Sequence, residues 1–210
     1  MTLAALALLT TFWLLIARRV RGAVAGYSAQ SFALGGLAIA VSVSSGLVNL
    51  LLLGLVIVAI KGLLIPLVLR RQIRSTVYDR RETRYHVGFP TAMLVGAALS
   101  VLGFAVAAQL HLTGEALRGP VLGLAVAIVL LGLFTSVARR DAVMELAGLL
   151  AAENGLLMVG LVVAPGLGLL VELALFLDVL VGVLVMGFLI ARMQETVAST
   201  DTSELRRLRG

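Results

Sequence analysis

Three ionisable residues lie inside stretches apolar enough to cross a membrane. Lys61 sits in VNLLLLGLVIVAIKGLLIPLVL, Glu153 in AVMELAGLLAAENGLLMVGLVVA and Asp178 in LLVELALFLDVLVGVLVMGFLI. A charge at bilayer depth costs from about 3 to more than 10 kcal/mol, and residues kept there at that cost mark ion or proton pathways. A low dielectric favours the neutral form of an acid or an amine, and a nearby opposite charge favours the ionised form. Protonation at such a site answers to small changes in distance or hydration, which is what a gated proton path requires. Glu145 and Glu172 extend the set towards the two membrane faces. The series Glu145, Glu153, Asp178, Glu172 reads as a ladder of proton-transfer groups, with Lys61 as a relay member or as the charge that tunes them.

The elements that must position these groups are helices. A span needs about 20 apolar residues. The chain offers seven such stretches, at 1–17, 25–43, 46–69, 88–110, 119–138, 142–164 and 168–191. The expected fold is therefore all-α, a polytopic integral membrane bundle of about seven transmembrane helices. Ser28, Gln30, Ser31, Ser42 and Ser44 make the second stretch the most polar. Small and hydroxyl residues favour close helix contact, so that span belongs inside the bundle. At a rise of about 1.5 Å per residue, Glu153 lies roughly 17 Å from one end of its span, Asp178 roughly 15 Å from the other side and Lys61 roughly 13 Å deep. The short turn Pro165-Gly166-Leu167 makes the last two spans antiparallel neighbours, with both acids near the midplane.

Plainer roles stand beside these. Glu145 and Glu172 lie about a turn from the interface, within reach of headgroups or water. Lys61 has a stem long enough to snorkel towards the cytoplasm. Glu153 and Asp178 would serve packing alone if they merely paired with Lys61. Asn154 suits a helix–helix hydrogen bond, and His86 and His111 fall at span ends, where interfacial residues are common. Pro66 is expected to bend the third span one turn beyond Lys61 and to loosen backbone bonding there.

Composition narrows the class. The chain has 210 residues, 60% of them hydrophobic, and nearly all are used by spans, which leaves no room for a nucleotide-binding domain. It has no cysteine and two histidines, which excludes disulfides, iron–sulfur ligation and thiolate metal sites. A net charge of +6 does not point to nucleic acid. Fifteen of the sixteen arginines fall in the segments 18–24, 70–87 and 139–141 and the tail after 191. This alternation is a topology signal that puts the N-terminus outside and the C-terminus in the cytoplasm. The expected location is the cell inner (plasma) membrane, multi-pass, with the lipid bilayer as surroundings. Arg18, Arg19 and Arg21 follow the first apolar stretch rather than precede it, which reads as a retained first helix. The 70–87 loop is either topology signal alone or a docking surface for a peripheral partner or anionic lipid.

GLLAAENG, a Pro-Gly turn, FLDVLVGVLVMGFL and a basic tail resemble the K-type subunit of respiratory complex I. That subunit carries a buried Glu in each of two consecutive helices. The first is matched by Glu153. The second, in an acidic-x-x-x-Gly pattern, is matched by Asp178 and Gly182, with Asp one methylene shorter than the family's Glu. IKGLLIPLVLRR around Lys61 and AAENGLL extend the likeness, so that most of the chain resembles component E of hydrogenase-4. The resemblance implies an N-terminal helical half over 1–110, a K-like half over 111–191 and a polar tail over 192–210. It implies a subunit of a complex I-like, redox-driven ion-translocating assembly, such as a group 4 [NiFe] hydrogenase. Its partners would be antiporter-like and K/H-type membrane subunits and a peripheral redox arm. The [NiFe] centre and iron–sulfur clusters would sit in those partners, with no cofactor and no catalytic chemistry in this chain. A subunit of a multi-subunit cation/proton antiporter and a structural spacer subunit are the alternatives. A stand-alone transporter has little support, because neither a clear repeat nor a broken-helix pair is present.

Overall fold

The structure is a computed structural model that describes residues 1–74, 88–110, 118–139, 142–163 and Gly182. Two compact units divide the chain, Met1–Leu170 and Val171–Gly210. All the helices described below belong to the first. Apart from Gly182, the 168–191 span with Glu172 and Asp178 lies outside the described residues, as do the turn at 165–167, His86, His111, most of the 70–87 loop and the tail.

The described residues are helical. In order they form α1 (Thr2–Ile16), α2 (Val20–Ser45), α3 (Val48–Val56), a π segment (Ile57–Leu64), α4 (Ile65–Arg74), α5 (Phe89–Gln109), α6 (Arg118–Ala138) and α7 (Ala142–Val163). α3, the π segment and α4 follow one another without a break as a single rod. Five helices are long and apolar enough to span a membrane: α2, the rod over Val48–Arg70, α5, α6 and α7. α1 is apolar but has only 15 residues. The spans read from the sequence at 25–43, 46–69, 88–110, 119–138 and 142–164 each correspond to one of these five.

Local chemistry sets the boundaries. α2 ends where Gly46 takes the left-handed conformation, φ 70°, with its N–H bonded to Ser42 O. That geometry favours glycine at a helix C-terminus. α5 opens with Pro90 in its first turn, where the missing N–H has no helical partner to lose. The π segment has a similar cause. Pro66 has no N–H to give Gly62 O, and its ring crowds that carbonyl in an α-helix. The backbone widens instead: the N–H of Ile65 bonds to Ile60 O, five residues back. The loosening expected at Pro66 thus takes the form of a widened π turn around Lys61.

α2 is an inner helix, as are α6 and α7. It packs on α1, on every part of the α3–π–α4 rod and on α7, while α6 packs on α1, α5 and α7. Gln30, Ser31, Ser42 and Tyr27 of α2 are all buried, as the polarity of that span predicts. One apolar cluster joins Leu14, Ala17, Val20 and Val24 to Leu69 and Met144. It places the end of α1, the start of α2, the end of the rod and the start of α7 at the same end of the bundle. A second cluster, Leu15 with Ala92 and Leu131, adds the start of α5 to that end. The helices therefore alternate in direction, and the exposed Arg18, Arg19, Arg21 and Arg70 gather at one end.

Two seams hold the long helices close. Along α6 and α7, Gly132, Gly148 and Gly155 let backbones touch. A Cβ added at Gly132 would lie 2.7 Å from Ala152 Cα, and one at Gly155 would lie 2.7 Å from Val129 N. Between α2 and α3, Cβ atoms at Gly35 and Gly54 would lie 2.9 and 2.8 Å from the other glycine's carbonyl oxygen. Small-residue seams of this kind replace the hydrophobic drive that lipid does not supply.

Candidate functional site

α7 presents AENG to the bundle interior, and the π segment presents Lys61 and Gly62 opposite. Lys61 is fully buried, Glu153 is 5% exposed and Asn154 is buried. Lys61 Nζ lies 3.2 Å from Glu153 Oε1 and donates a hydrogen bond of 3.1 Å to Asn154 Oδ1. The lysine stem does not run to the surface, so the snorkelling alternative gives way to a buried ion pair.

Asn154 ties the pair to the rest of the bundle. Its Nδ2 donates to Gln30 Oε1 at 3.2 Å and to Ser31 Oγ at 3.1 Å. Gln30 Nε2 in turn donates to Thr11 Oγ1 at 2.8 Å and reaches Ala151 O at 3.5 Å. Thr11 and Ser31 each return a hydroxyl hydrogen to their own helix, to Ala7 O at 2.7 Å and Tyr27 O at 3.0 Å. The network thus crosses α1, α2, the π segment and α7 at one depth. The Asn154 amide can face only one way here, because turning it over would aim its NH₂ at the Lys61 ammonium.

The widened backbone takes part. Ser28 Oγ donates 2.6 Å to Gly62 O, the carbonyl that Pro66 deprives of its α-helical partner. The residue next to Lys61 is thereby anchored to α2. One turn along α2 from Ser28, the Phe32 ring also faces Gly62, with its nearest atoms 3.4 Å from an added Cβ.

The five residues singled out from sequence fare differently. Lys61 and Glu153 meet. Glu145 is exposed in the first turn of α7, eight residues and about 12 Å along the helix from Glu153. At a helix N-terminus its negative charge complements the backbone dipole. Asp178 and Glu172 lie outside the described residues. Among the described residues, no group of three or more His, Cys, Asp or Glu is placed to hold a metal.

The chemistry open to this arrangement is proton exchange. An ammonium and a carboxylate at 3.2 Å differ from an amine and a carboxylic acid by one proton moved along their contact. Both groups are shielded from water.

The chain is 30% identical over 160 residues to a protein of Mycobacterium tuberculosis (strain ATCC 25618 / H37Rv) named Uncharacterized protein Rv0085. The match takes in 76% of this chain and 73% of the relative. The chain belongs to that protein's family. No protein-family model and no solved structure matches it. The relative's name carries no activity.

Sequence patterns left part of this family member's site unread. Gln30 and Ser31 were legible as interior residues of a polar span, but not as partners of Asn154. Thr11 carried no signal beyond being a hydroxyl in an apolar helix. Arg139 counted only as a loop charge. It is buried at the end of α6, where its guanidinium donates to Leu14 O at 3.3 Å and to Leu15 O. Those are last-turn carbonyls of α1, which lack helical partners and attract a cation.

Proposed function

We propose that the chain is an integral membrane subunit of a complex I-like, redox-driven ion-translocating assembly of the hydrogenase-4 type. In this reading Lys61 and Glu153 form one proton-carrying segment of the membrane arm, and Asp178 is the next carrier. The chain does no redox chemistry itself. The [NiFe] centre and iron–sulfur clusters belong to partner subunits, and antiporter-like and K/H-type chains flank it in the membrane. The arginine-rich end faces the cytoplasm, in keeping with the positive-inside rule.

The observation that carries the reading is the Lys61–Glu153 pair itself: two opposite charges, both buried, on two membrane-spanning helices, 3.2 Å apart. Buried ionisable residues in a span mark proton or ion routes by default. The ENG and KG-x-x-x-P elements that resemble component E of hydrogenase-4 are the elements that supply this pair.

The test is ion pumping by the assembled complex in sealed vesicles. Glu153→Gln and Asp178→Asn should each abolish ion movement coupled to electron transfer while leaving assembly intact. Pumping that survives both substitutions would end the proposal. Mild-detergent purification with mass spectrometry should bring antiporter-like chains together with a redox arm. Antiporter-like chains without that arm would move the reading to a cation/proton antiporter.

A further inference from the structure

We propose that Lys61 is a tethered cation filling the one seat between Glu153 and Asn154, so that the ion handled by this pair is H⁺ and Na⁺ is shut out. The inference rests on the reading of the pair as a translocation element and names its substrate.

The seat has the donor set that a hard monovalent cation would seek. Glu153 supplies a carboxylate oxygen at 3.2 Å from Nζ and Asn154 an amide oxygen at 3.1 Å. Hard cations bind oxygen ligands of these types. The amide is held with its oxygen towards the seat, because both its N–H groups are used on Gln30 and Ser31. The network behind Asn154, through Gln30 to Thr11, is made of amides and hydroxyls and keeps that oxygen in place whatever the charge in the seat. The ammonium already occupies the position, fully buried.

A sodium ion therefore has two ways in, and both are costly. It can join the ammonium, leaving a second positive charge in a site that excludes water, at a penalty of several kcal/mol per ion. Or it can displace an ammonium whose stem is packed inside the bundle. A proton needs neither. The Nζ proton passes to Oε1, leaving an amine and a carboxylic acid at unchanged net charge, and the amine takes up an entering proton as the acid gives its own away, so no second positive charge stays in the seat.

The experiment is thermal unfolding of the purified full-length chain in detergent, in saturating NaCl against choline chloride at equal ionic strength. The wild-type midpoint should be the same in both salts. Lys61→Ala empties the seat while keeping its oxygens, and its midpoint should rise in NaCl by about 5 °C, as ligand linkage predicts for a well-occupied site. Lys61→Ala/Glu153→Gln should lose that rise. A sodium-dependent shift in the wild type that Glu153→Gln removes would overturn the proposal, as would a folded Lys61→Ala indifferent to sodium. If Lys61→Ala is recovered folded only from NaCl, the seat is a sodium site once the lysine is gone. If it folds in neither salt, the wild-type comparison decides. Sodium binding is read here without transport, so pumping that survives Glu153→Gln would defeat the proton-path reading and leave the seat's selectivity standing or falling by itself.

Discussion

α7 carries two faces of opposite design. Towards α6 it presents Gly148, Ala152 and Gly155, and meets Gly132 and Val129 backbone to backbone. Towards α2 and the π segment it presents Glu153 and Asn154, which meet Lys61, Gln30 and Ser31 through side-chain atoms at 3.1–3.2 Å. The first seam has one arrangement, since any added atom collides with backbone. The second is made by side-chain atoms and leaves the backbones apart. The comparison indicates how one membrane helix combines two kinds of contact: one face fixes its distance to a neighbour and the other holds a buried ion pair.

The largest effect should come from breaking the polar seam on one side only. Lys61→Met leaves the Glu153 carboxylate without its ammonium and should destabilise the chain by about 3–5 kcal/mol. Unfolding in mixed micelles of rising denaturing-detergent fraction measures this. Lys61→Met combined with Glu153→Leu removes both charges and should recover most of that loss, because apolar replacements of a buried pair are often neutral. The double variant should still be inactive in the assembled complex. A double variant that pumps would reduce the pair to a structural spacer.

The apolar seam should answer differently. Gly132→Ala adds one atom, which would lie 2.7 Å from Ala152 Cα and 2.8 Å from Gly148 O. Backbone on both sides cannot step aside, so overpacking should cost about 2 kcal/mol. No second substitution nearby should restore it, in contrast to the rescue expected at Lys61. Restoration by Ala152→Gly would show that Cβ contacts rather than backbone contacts set this distance.

Much of this contrast was legible in the sequence, but unevenly. Span positions follow from apolar length, so five of the expected stretches correspond to long helices within a few residues of their expected ends. The depth of Lys61 and Glu153 follows from helical rise alone. Whether they face each other does not, because a helix apolar nearly all round gives no periodicity from which to read its rotation. Two features set that rotation, and neither leaves a pattern along a single span. The glycines of the α6–α7 seam point Glu153 and Asn154 away from α6. The π segment, spread over eight residues ahead of Pro66, carries Lys61, which meets Glu153 of α7.

Asn154 is the joint between the pair and its scaffold, and its removal should fall between the two effects above and the smallest. Asn154→Leu deletes one acceptor for Lys61 and two donated bonds. Hydrogen bonds between membrane helices are worth about 0.6 kcal/mol on average and up to about 1.7. The expected loss is about 1.5 kcal/mol, in the same unfolding assay. A loss as large as that of Lys61→Met would make Asn154 the principal partner of the ammonium and demote Glu153.

The smallest effect tests why the segment around Lys61 is wide. Ser28→Ala removes the hydroxyl that bonds to Gly62 O at 2.6 Å and should cost about 0.6 kcal/mol. Pro66→Ala returns an N–H four residues after Gly62, the donor an α-helix would use for that carbonyl. If the missing donor is what creates the π segment, Ser28 becomes redundant once it is restored. Ser28→Ala should then cost almost nothing in the Pro66→Ala background, and the double-mutant cycle should show a coupling close to the whole value of the bond. Narrowing the segment also rotates Lys61 about the rod, so Pro66→Ala should weaken the contact with Glu153, and Lys61→Met should become less damaging in that background. Additive effects across both cycles would mean that the π turn is held by the surrounding helices, with Pro66 only accommodated by it.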